Sequence, residues 1–288
     1  MSTPLAPLTS RQRELLDGWL PGLRVVRDHG WGLVESVVAE VEADGRRYVV
    51  KADGASNHHV PRELDAHERW LAPWVSRGRA PRLVAGDRDA KILVTDFLPG
   101  ELVLGSPAQR RLDTFRQAGD LLSMLHAQPG HVDAQHEREE DLKVLRNLDK
   151  SHRIPPSVEA RLRELVLSWP SEPLSLVPCH GDWQPRNWLV HDGRISAIDF
   201  GRAALRPPMS DWLRLHARDF REDPAREAAF VEGYGSDPRE SAAWFRQRVR
   251  EATNTAVWAH LVGDEDFEAE GHAMIDRVLS EDGADPLR

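Results

Sequence analysis

A chain of 288 residues, 40% hydrophobic and 30% charged, holds enough apolar material for one large domain or two modest ones. Its formal net charge of −9 argues against a nucleic-acid groove, and no run of about 18 apolar residues is present to cross a membrane. The single cysteine, Cys179, has no intrachain disulfide partner, which fits a reducing, cytoplasmic setting.

The start, from Met1 to Arg13, lacks the basic and apolar stretches of a secretory signal. Thr9 and Gln12 form a capping-box pattern that predicts a helix to about Leu20. The period then shortens. Strands are predicted over Leu23–Asp28, Val34–Ala43 and Arg46–Ala52, the last two joined by an Asp44-Gly45 turn. His59–Val75 reads as one helix, and Arg82–Ala85 and Lys91–Phe97 as a further strand pair. After Pro99-Gly100 helices dominate. Ser106-Pro107 predicts a helix start, and Leu112, Phe115, Gly119, Leu122 and Leu125 mark its buried face. More helices are predicted near 135–150, 157–168, 209–219, 224–234, 239–262 and 265–281. Leu174–Asp199 reads as short strands and loops with a turn at His191-Asp192-Gly193. A sheet-rich part, 1–97, followed by a helical part, 98–288, predicts an α+β arrangement of two lobes, with ligands in the cleft between them.

Charge follows the same division. Residues 1–97 hold 14 basic and 14 acidic side chains, so all the excess negative charge lies in 98–288. The chain uses 34 arginines and only four lysines, which draws attention to each lysine.

The most informative stretch is His180-Gly181-Asp182-Trp183-Gln184-Pro185-Arg186-Asn187, followed by Ile198-Asp199-Phe200-Gly201. Phosphoryl transfer needs a carboxylate to orient the acceptor hydroxyl and take its proton, and oxygen ligands to hold Mg²⁺ on the nucleotide phosphates. Asp182 and Asn187 are five apart in one loop, and a short hairpin can fold Asp199 back beside them. As single residues all three suit turns and caps; as an ordered set they match a kinase catalytic loop and its Asp-Phe-Gly.

The run resembles the aminoglycoside phosphotransferase and choline kinase family, within the protein-kinase-like superfamily, over about residues 20–275. The resemblance implies an ATP-dependent phosphotransferase with a nucleotide-binding N-terminal lobe and a catalytic, acceptor-binding C-terminal lobe. The nucleotide would be ATP or GTP, with Mg²⁺. Asp182 would be the catalytic base, Asn187 and Asp199 the metal ligands, and His180 a structural support of the loop. Asp211, in Ser210-Asp211-Trp212, matches a family position that hydrogen-bonds the loop. Lys51 resembles the strand lysine that contacts phosphates, and a compact point charge suits that role. Glu63 resembles its helix partner, with Glu68 as the alternative. Gly30 and Gly32 lie where a loop would cover phosphates, although they do not form a dinucleotide fingerprint. The Asp96 carbonyl and the Leu98 amide would bond the adenine edge. Gln184 stands where many members carry His, and Arg186 precedes the metal-binding Asn; both alter what approaches the loop.

Other chemistries find little support. His126, His131 and His136 are interrupted by Pro129-Gly130 and share no helix face. No Gly-x-Ser-x-Gly and no phosphate-binding Gly-x-x-x-x-Gly-Lys loop occurs. Trp188, Trp212, Trp244 and Trp258 read as core, whereas Trp183, next to the expected base, is a candidate wall of the acceptor pocket. Residues 251–288 carry ten acids and two bases. Their dense run of Asp264, Glu265, Asp266, Glu268 and Glu270 suggests a cationic acceptor, with Glu265 and Asp266 lining its pocket. A solvated helix face is the plainer reading of such a run. Three functions follow: a kinase inactivating a cationic antibiotic such as an aminoglycoside, a kinase of a metabolic alcohol, sugar or hydroxy amino acid, or a non-catalytic binding pseudokinase. The expected partner is the small-molecule acceptor, without nucleic acid or membrane, and the expected state is a monomer or weak homodimer.

Overall fold

The computed structural model describes residues 5, 7–30 and 36–282. In chain order the elements are α1 (Ser10–Trp19), β1 (Arg24–Asp28), β2 (Ser36–Ala43), β3 (Arg46–Asp53), α2 (His59–Arg69), α3 (Ala72–Val75), β4 (Leu83–Asp87), β5 (Ile92–Asp96), β6 (Glu101–Leu102) and α4 (Leu112–His126). There follow β7 (His131–Asp133), α5 (His136–Leu148), α6 (Pro156–Ser168), β8 (Leu174–Cys179), β9 (Trp188–His191), β10 (Arg194–Ala197), β11 (Ala204–Arg206), α7 (Leu213–Leu215), α8 (Pro224–Tyr234), α9 (Ser241–Val262) and α10 (Glu265–Asp282). The arrangement is α+β, with an antiparallel sheet first and helices after it.

Two compact units share the chain. One comprises Met1–Pro129, Pro178–Leu205 and Asp223–Ser236; the other comprises Gly130–Val177, Arg206–Glu222 and Asp237–Arg288. α4, α8 and the 178–205 segment fall in the same unit as the N-terminal sheet.

In the first unit, five antiparallel strands lie in the order β1-β2-β3-β5-β4. Asp44 and Gly45 turn between β2 and β3 with φ of 49° and 70°, a two-residue turn whose twist matches the flanking strands. The inward faces of β2 and β3, with Val37, Ala39, Val41, Tyr48 and Val50, bury against Leu16 and Leu20 at the end of α1. The capping box forms: Gln12 N–H donates to Thr9 Oγ1 (3.2 Å) and Thr9 N–H to Gln12 Oε1 (2.9 Å). The buried Gln12 amide also donates to the carbonyls of Asp53 (3.1 Å) and Ala90 (2.8 Å), which ties α1 to the sheet. A second small sheet, β10-β9-β6, includes the hairpin at Asp192 and Gly193. Against α8, α4 runs so close that a Cβ on Gly119 would stand 2.2 Å from the Phe230 carbonyl oxygen.

The second unit packs Val144, Leu148, Leu162, Val166, Val249, Ala256 and Ile275 of α5, α6, α9 and α10 into one core. Within it Arg250 is 3% exposed and donates to both Glu137 and Asp141, so the buried guanidinium is paired and satisfied.

Three predicted helices change. His59–Val75 breaks at Trp70-Leu71, because Pro73 lacks the N–H a continuous helix would need and instead sits in the first turn of α3. Ser106 caps a short 3₁₀ turn, Pro107–Arg110, and α4 starts only at Leu112, which is exposed rather than buried. The 209–219 stretch is a 3₁₀ segment (Pro208–Trp212), the brief α7 and a π turn (His216–Phe220). No helix among the described residues is long and apolar enough to cross a membrane.

Candidate active site

The 178–205 segment is folded around one glycine. Gly181 has φ of 79°, a conformation open to glycine, and a Cβ there would meet the Arg202 carbonyl oxygen at 2.2 Å. That close return brings the chain after Asp199 back under the loop. Two further bonds fix the same fold: Ile198 N–H donates to the Asn187 carbonyl (3.0 Å), and His180 Nε2 bonds the Ile198 carbonyl (3.1 Å). Asp182 N–H donates to His180 Nδ1 (3.3 Å), so His180 bridges the two parts through both ring nitrogens. The imidazole is fully buried and packs on Trp183 and Phe200.

Asp182 is buried, and side chains of its own loop donate to its carboxylate. Gln184 Nε2 reaches Oδ1 at 2.5 Å, while Arg186 Nη2 and Asn187 Nδ2 reach Oδ2 at 2.6 and 2.9 Å. Asn187 Nδ2 also donates to the Asp182 carbonyl at 2.7 Å, so the amide nitrogen faces Asp182 and the amide oxygen is its other end. Asp199 has φ of 67°, a strained setting for a residue with a Cβ, and its side chain is 52% exposed.

Lys51, on β3, joins this group to α2. Its ammonium donates to both Glu63 oxygens at 2.8 and 2.9 Å and to Asp199 Oδ1 at 3.2 Å. Glu63 lies on the face of α2 that also buries Val60 and Leu64 against Leu93, which is why it points inward. The N-terminus of α2 is anchored by Asp53, whose Oδ2 accepts Val60 N–H at 2.7 Å. Glu68, the alternative partner, lies on the outer face and pairs with Arg88 at 3.1 Å. Burial works against the Lys51 charge, yet Asp199 and Glu63 outweigh it and hold the ammonium above its ordinary value. Lys51 in turn draws the Asp199 carboxyl below its ordinary range. Burial pushes Glu63 up, opposed by Lys51, and two short bonds keep it the anionic partner of the pair.

Other expected positions fall as follows. Gly30 N–H donates to Asp28 Oδ1 (2.8 Å), closing a tight turn after β1. Gly32 lies outside the described residues. Asp96 ends β5, its carboxylate held by Arg82 (2.9 Å), and Leu98 follows it half-buried. Asp211 is buried in the 3₁₀ segment of the second unit. Trp183 must be corrected: it is 0% exposed, with its ring 5.4 Å from Trp74 and 5.2 Å from Trp188, so it forms core and not a pocket wall. In the acidic run, Asp264 caps α10 by accepting Phe267 N–H, Glu268 is buried against Arg153, and Glu270 pairs with Arg218. Glu265 and Asp266 remain exposed on the first turn of α10. The donors Gln184 and Arg186 on Asp182 were legible only as departures from the family pattern, without a partner.

Comparison with known proteins places the chain in a family. Residues 27–245 match the profile of the phosphotransferase enzyme family. In fold the chain is similar to choline kinase LicA from Streptococcus pneumoniae, with 17% identity, coverage of 93% of this chain and 97% of that one, and a TM-score of 0.66. It is also similar to aminoglycoside 2'-phosphotransferase-IIIa in its GDP complex (15% identity, 94% and 98% covered, TM-score 0.64). Macrolide 2'-phosphotransferase type I is comparable (18% identity, 93% and 98% covered, TM-score 0.60). No curated protein sequence matches the chain. The family profile spans most of the sequence, and the chain therefore belongs to the phosphotransferase enzyme family.

Proposed function

We propose that the protein is an ATP-dependent kinase that moves the γ-phosphate to a hydroxyl of a small molecule, with 1–97 contributing the nucleotide site and 98–288 the acceptor site. The observation that carries the reading is Lys51 bridging Glu63 and Asp199, within the same unit as the Asp182–Asn187 loop. A pseudokinase reading gains nothing from this geometry, because every ionisable group the chemistry needs is retained and paired.

In this reading the acceptor O–H bond breaks and its proton passes to Asp182. The acceptor oxygen forms the new bond to phosphorus, and the bridging P–O bond breaks with its electron pair leaving on ADP. Gln184, Arg186 and Asn187 hold the Asp182 carboxylate so that its orientation is set before the acceptor arrives, which is how a positioned base contributes to rate. Lys51, fixed by Glu63, presents a compact positive charge to the nucleotide phosphates. Asp199 and the Asn187 amide oxygen are hard oxygen donors on segments joined by the Ile198–Asn187 backbone bond, and that donor set suits Mg²⁺. Bound there, the metal would neutralise charge on the phosphates. His180 and Asp211 are assigned structural support, Gly30 and Gly32 the phosphate-covering loop, and the Asp96 carbonyl and Leu98 amide the adenine edge.

For the acceptor we take a cationic, hydroxyl-bearing compound of the antibiotic kind. The excess negative charge and the exposed Glu265 and Asp266 support it, as does the likeness to an aminoglycoside phosphotransferase solved with hygromycin B. Engagement of Asp264, Glu268 and Glu270 inside the second unit favours a second reading, a metabolic alcohol of lower charge. A coupled ADP-release screen over antibiotics and hydroxylated metabolites decides between them. Turnover with antibiotics alone supports the first reading, turnover with metabolites alone supports the second, and no acceptor-dependent ADP release would count against both.

A further inference from the structure

We propose that Arg186 makes the site selective for acceptors whose reacting hydroxyl is flanked by a neutral or anionic group and not by an ammonium; the proposal rests on the phosphotransferase reading above. Arg186 sits on the short 3₁₀ turn Pro185–Asn187, between a buried proline and the buried Asn187. Its guanidinium is 2.6 Å from Asp182 Oδ2, and its side chain is 40% exposed. A guanidinium stays charged at any working pH. It therefore cancels the charge of Asp182 at the place where the acceptor hydroxyl must come.

An aspartate alone would attract an ammonium one or two carbons from that hydroxyl, since opposite charges a few ångströms apart in a partly desolvated site interact strongly. With Arg186 in place this attraction is offset, and the ammonium would meet a fixed cation. Gln184 and Asn187, which also donate to the carboxylate, are neutral and do not change this balance. Asp199 and Glu63, further carboxylates of the site, are both engaged by Lys51. When the hydroxyl proton moves to Asp182, the guanidinium loses its anionic partner there and stands beside the newly transferred phosphate, whose negative charge it offsets. The acceptor can carry positive charge elsewhere; the restriction applies beside the reacting oxygen.

The test uses three two-carbon alcohols small enough to enter any acceptor site: ethanolamine, ethylene glycol and glycolate, which carry a positive, a neutral and a negative group next to the hydroxymethyl carbon. ADP release from Mg·ATP is measured with each, against the rate with water alone, for the wild type, Arg186→Lys and Arg186→Gln. Gln184 and Asn187 still hold Asp182 in both variants, and thermal melting checks that they fold. In the wild type, kcat/KM for ethylene glycol and for glycolate should exceed that for ethanolamine by about tenfold or more. Arg186→Lys should keep the preference, and Arg186→Gln should reduce it by about tenfold through a lower KM for ethanolamine. Ethanolamine used as well as ethylene glycol by the wild type, a preference unchanged in Arg186→Gln, or all three alcohols inert above the water rate would each overturn the proposal. No acceptor-dependent ADP release across the wider screen of antibiotics and hydroxylated metabolites, with ATP bound, would instead sink the phosphotransferase reading on which it stands.

Discussion

Replacing Glu63 with glutamine keeps the shape of the side chain and removes its charge. In the wild type the Lys51 ammonium has two bonds to this carboxylate, at 2.8 and 2.9 Å, and a longer one to Asp199 at 3.2 Å. A hydrogen bond to a charged group contributes about 1.5–3 kcal/mol and a neutral one about 1 kcal/mol. Glutamine offers Lys51 one neutral acceptor where two charged ones stood. Lys51 is mostly buried, so solvent does not replace the loss, but Asp199 still compensates part of its charge. The cost falls near 2–3 kcal/mol, or on the order of 5 °C in Tm for a protein of this size. Lys51 should also swing toward Asp199 and away from the phosphates, raising KM for ATP about tenfold, which corresponds to about 1.4 kcal/mol. Differential scanning fluorimetry and an ATP titration measure both effects. A Glu63→Gln protein with wild-type Tm and KM, beside an impaired Glu68→Gln protein, would refute the register of α2 and the role given to the pair.

Asp199→Asn removes the charged oxygen donor, so the Mg²⁺-dependent part of ATP binding should weaken about tenfold or more, and calorimetric titrations with and without Mg²⁺ that coincide with the wild type would contradict this. His67, on α2 with its ring edge on Phe200, is held to about pKa 4, first by burial and then by Lys51. Its folded value lies below the unfolded one, so the stability it contributes is complete above about pH 6.5 and is lost as pH falls toward 4, amounting to about 2 kcal/mol by pH 5. Urea unfolding at pH 7 and pH 5 should show that loss in the wild type and much less of it in His67→Gln; equal losses would remove His67 as the cause. Gly181→Ala forces a Cβ into the Arg202 carbonyl from a left-handed φ, so it should cost about 2 kcal/mol or more and disturb the loop, read as a lower Tm together with a lower kcat.

What was legible in the sequence was local or chemically demanding. The Thr9–Gln12 capping box and the Asp44-Gly45 turn depend on residues a few positions apart, and both formed as read. The Asp182, Asn187 and Asp199 set could be singled out because few side chains supply such chemistry in that order. Glu63 is preferred to Glu68 on resemblance alone, and the structure puts Val60, Leu64 and Glu63 on the buried side of α2. What was not legible depends on distant packing. Nothing beside Trp183 announces that Trp74, more than a hundred residues earlier, will cover it. The bonds from Gln184 and Arg186 to Asp182 follow from the turn that Pro185 starts, which propensity alone does not aim. The break in the helix after Arg69 depends on Pro73, whose ring the structure seats in the first turn of α3.

The central claim is that Asp182 accepts the proton of the acceptor hydroxyl during transfer from ATP. It is tested most directly by following γ-labelled phosphate from ATP into an acceptor found by the ADP-release screen, with the wild type and Asp182→Ala at saturating nucleotide. A positioned base contributes about 10²–10⁴ in rate, so Asp182→Ala should transfer label slower by that factor while binding ATP with unchanged affinity. Label transferred at a near-normal rate by Asp182→Ala would contradict the assignment and the site built around it.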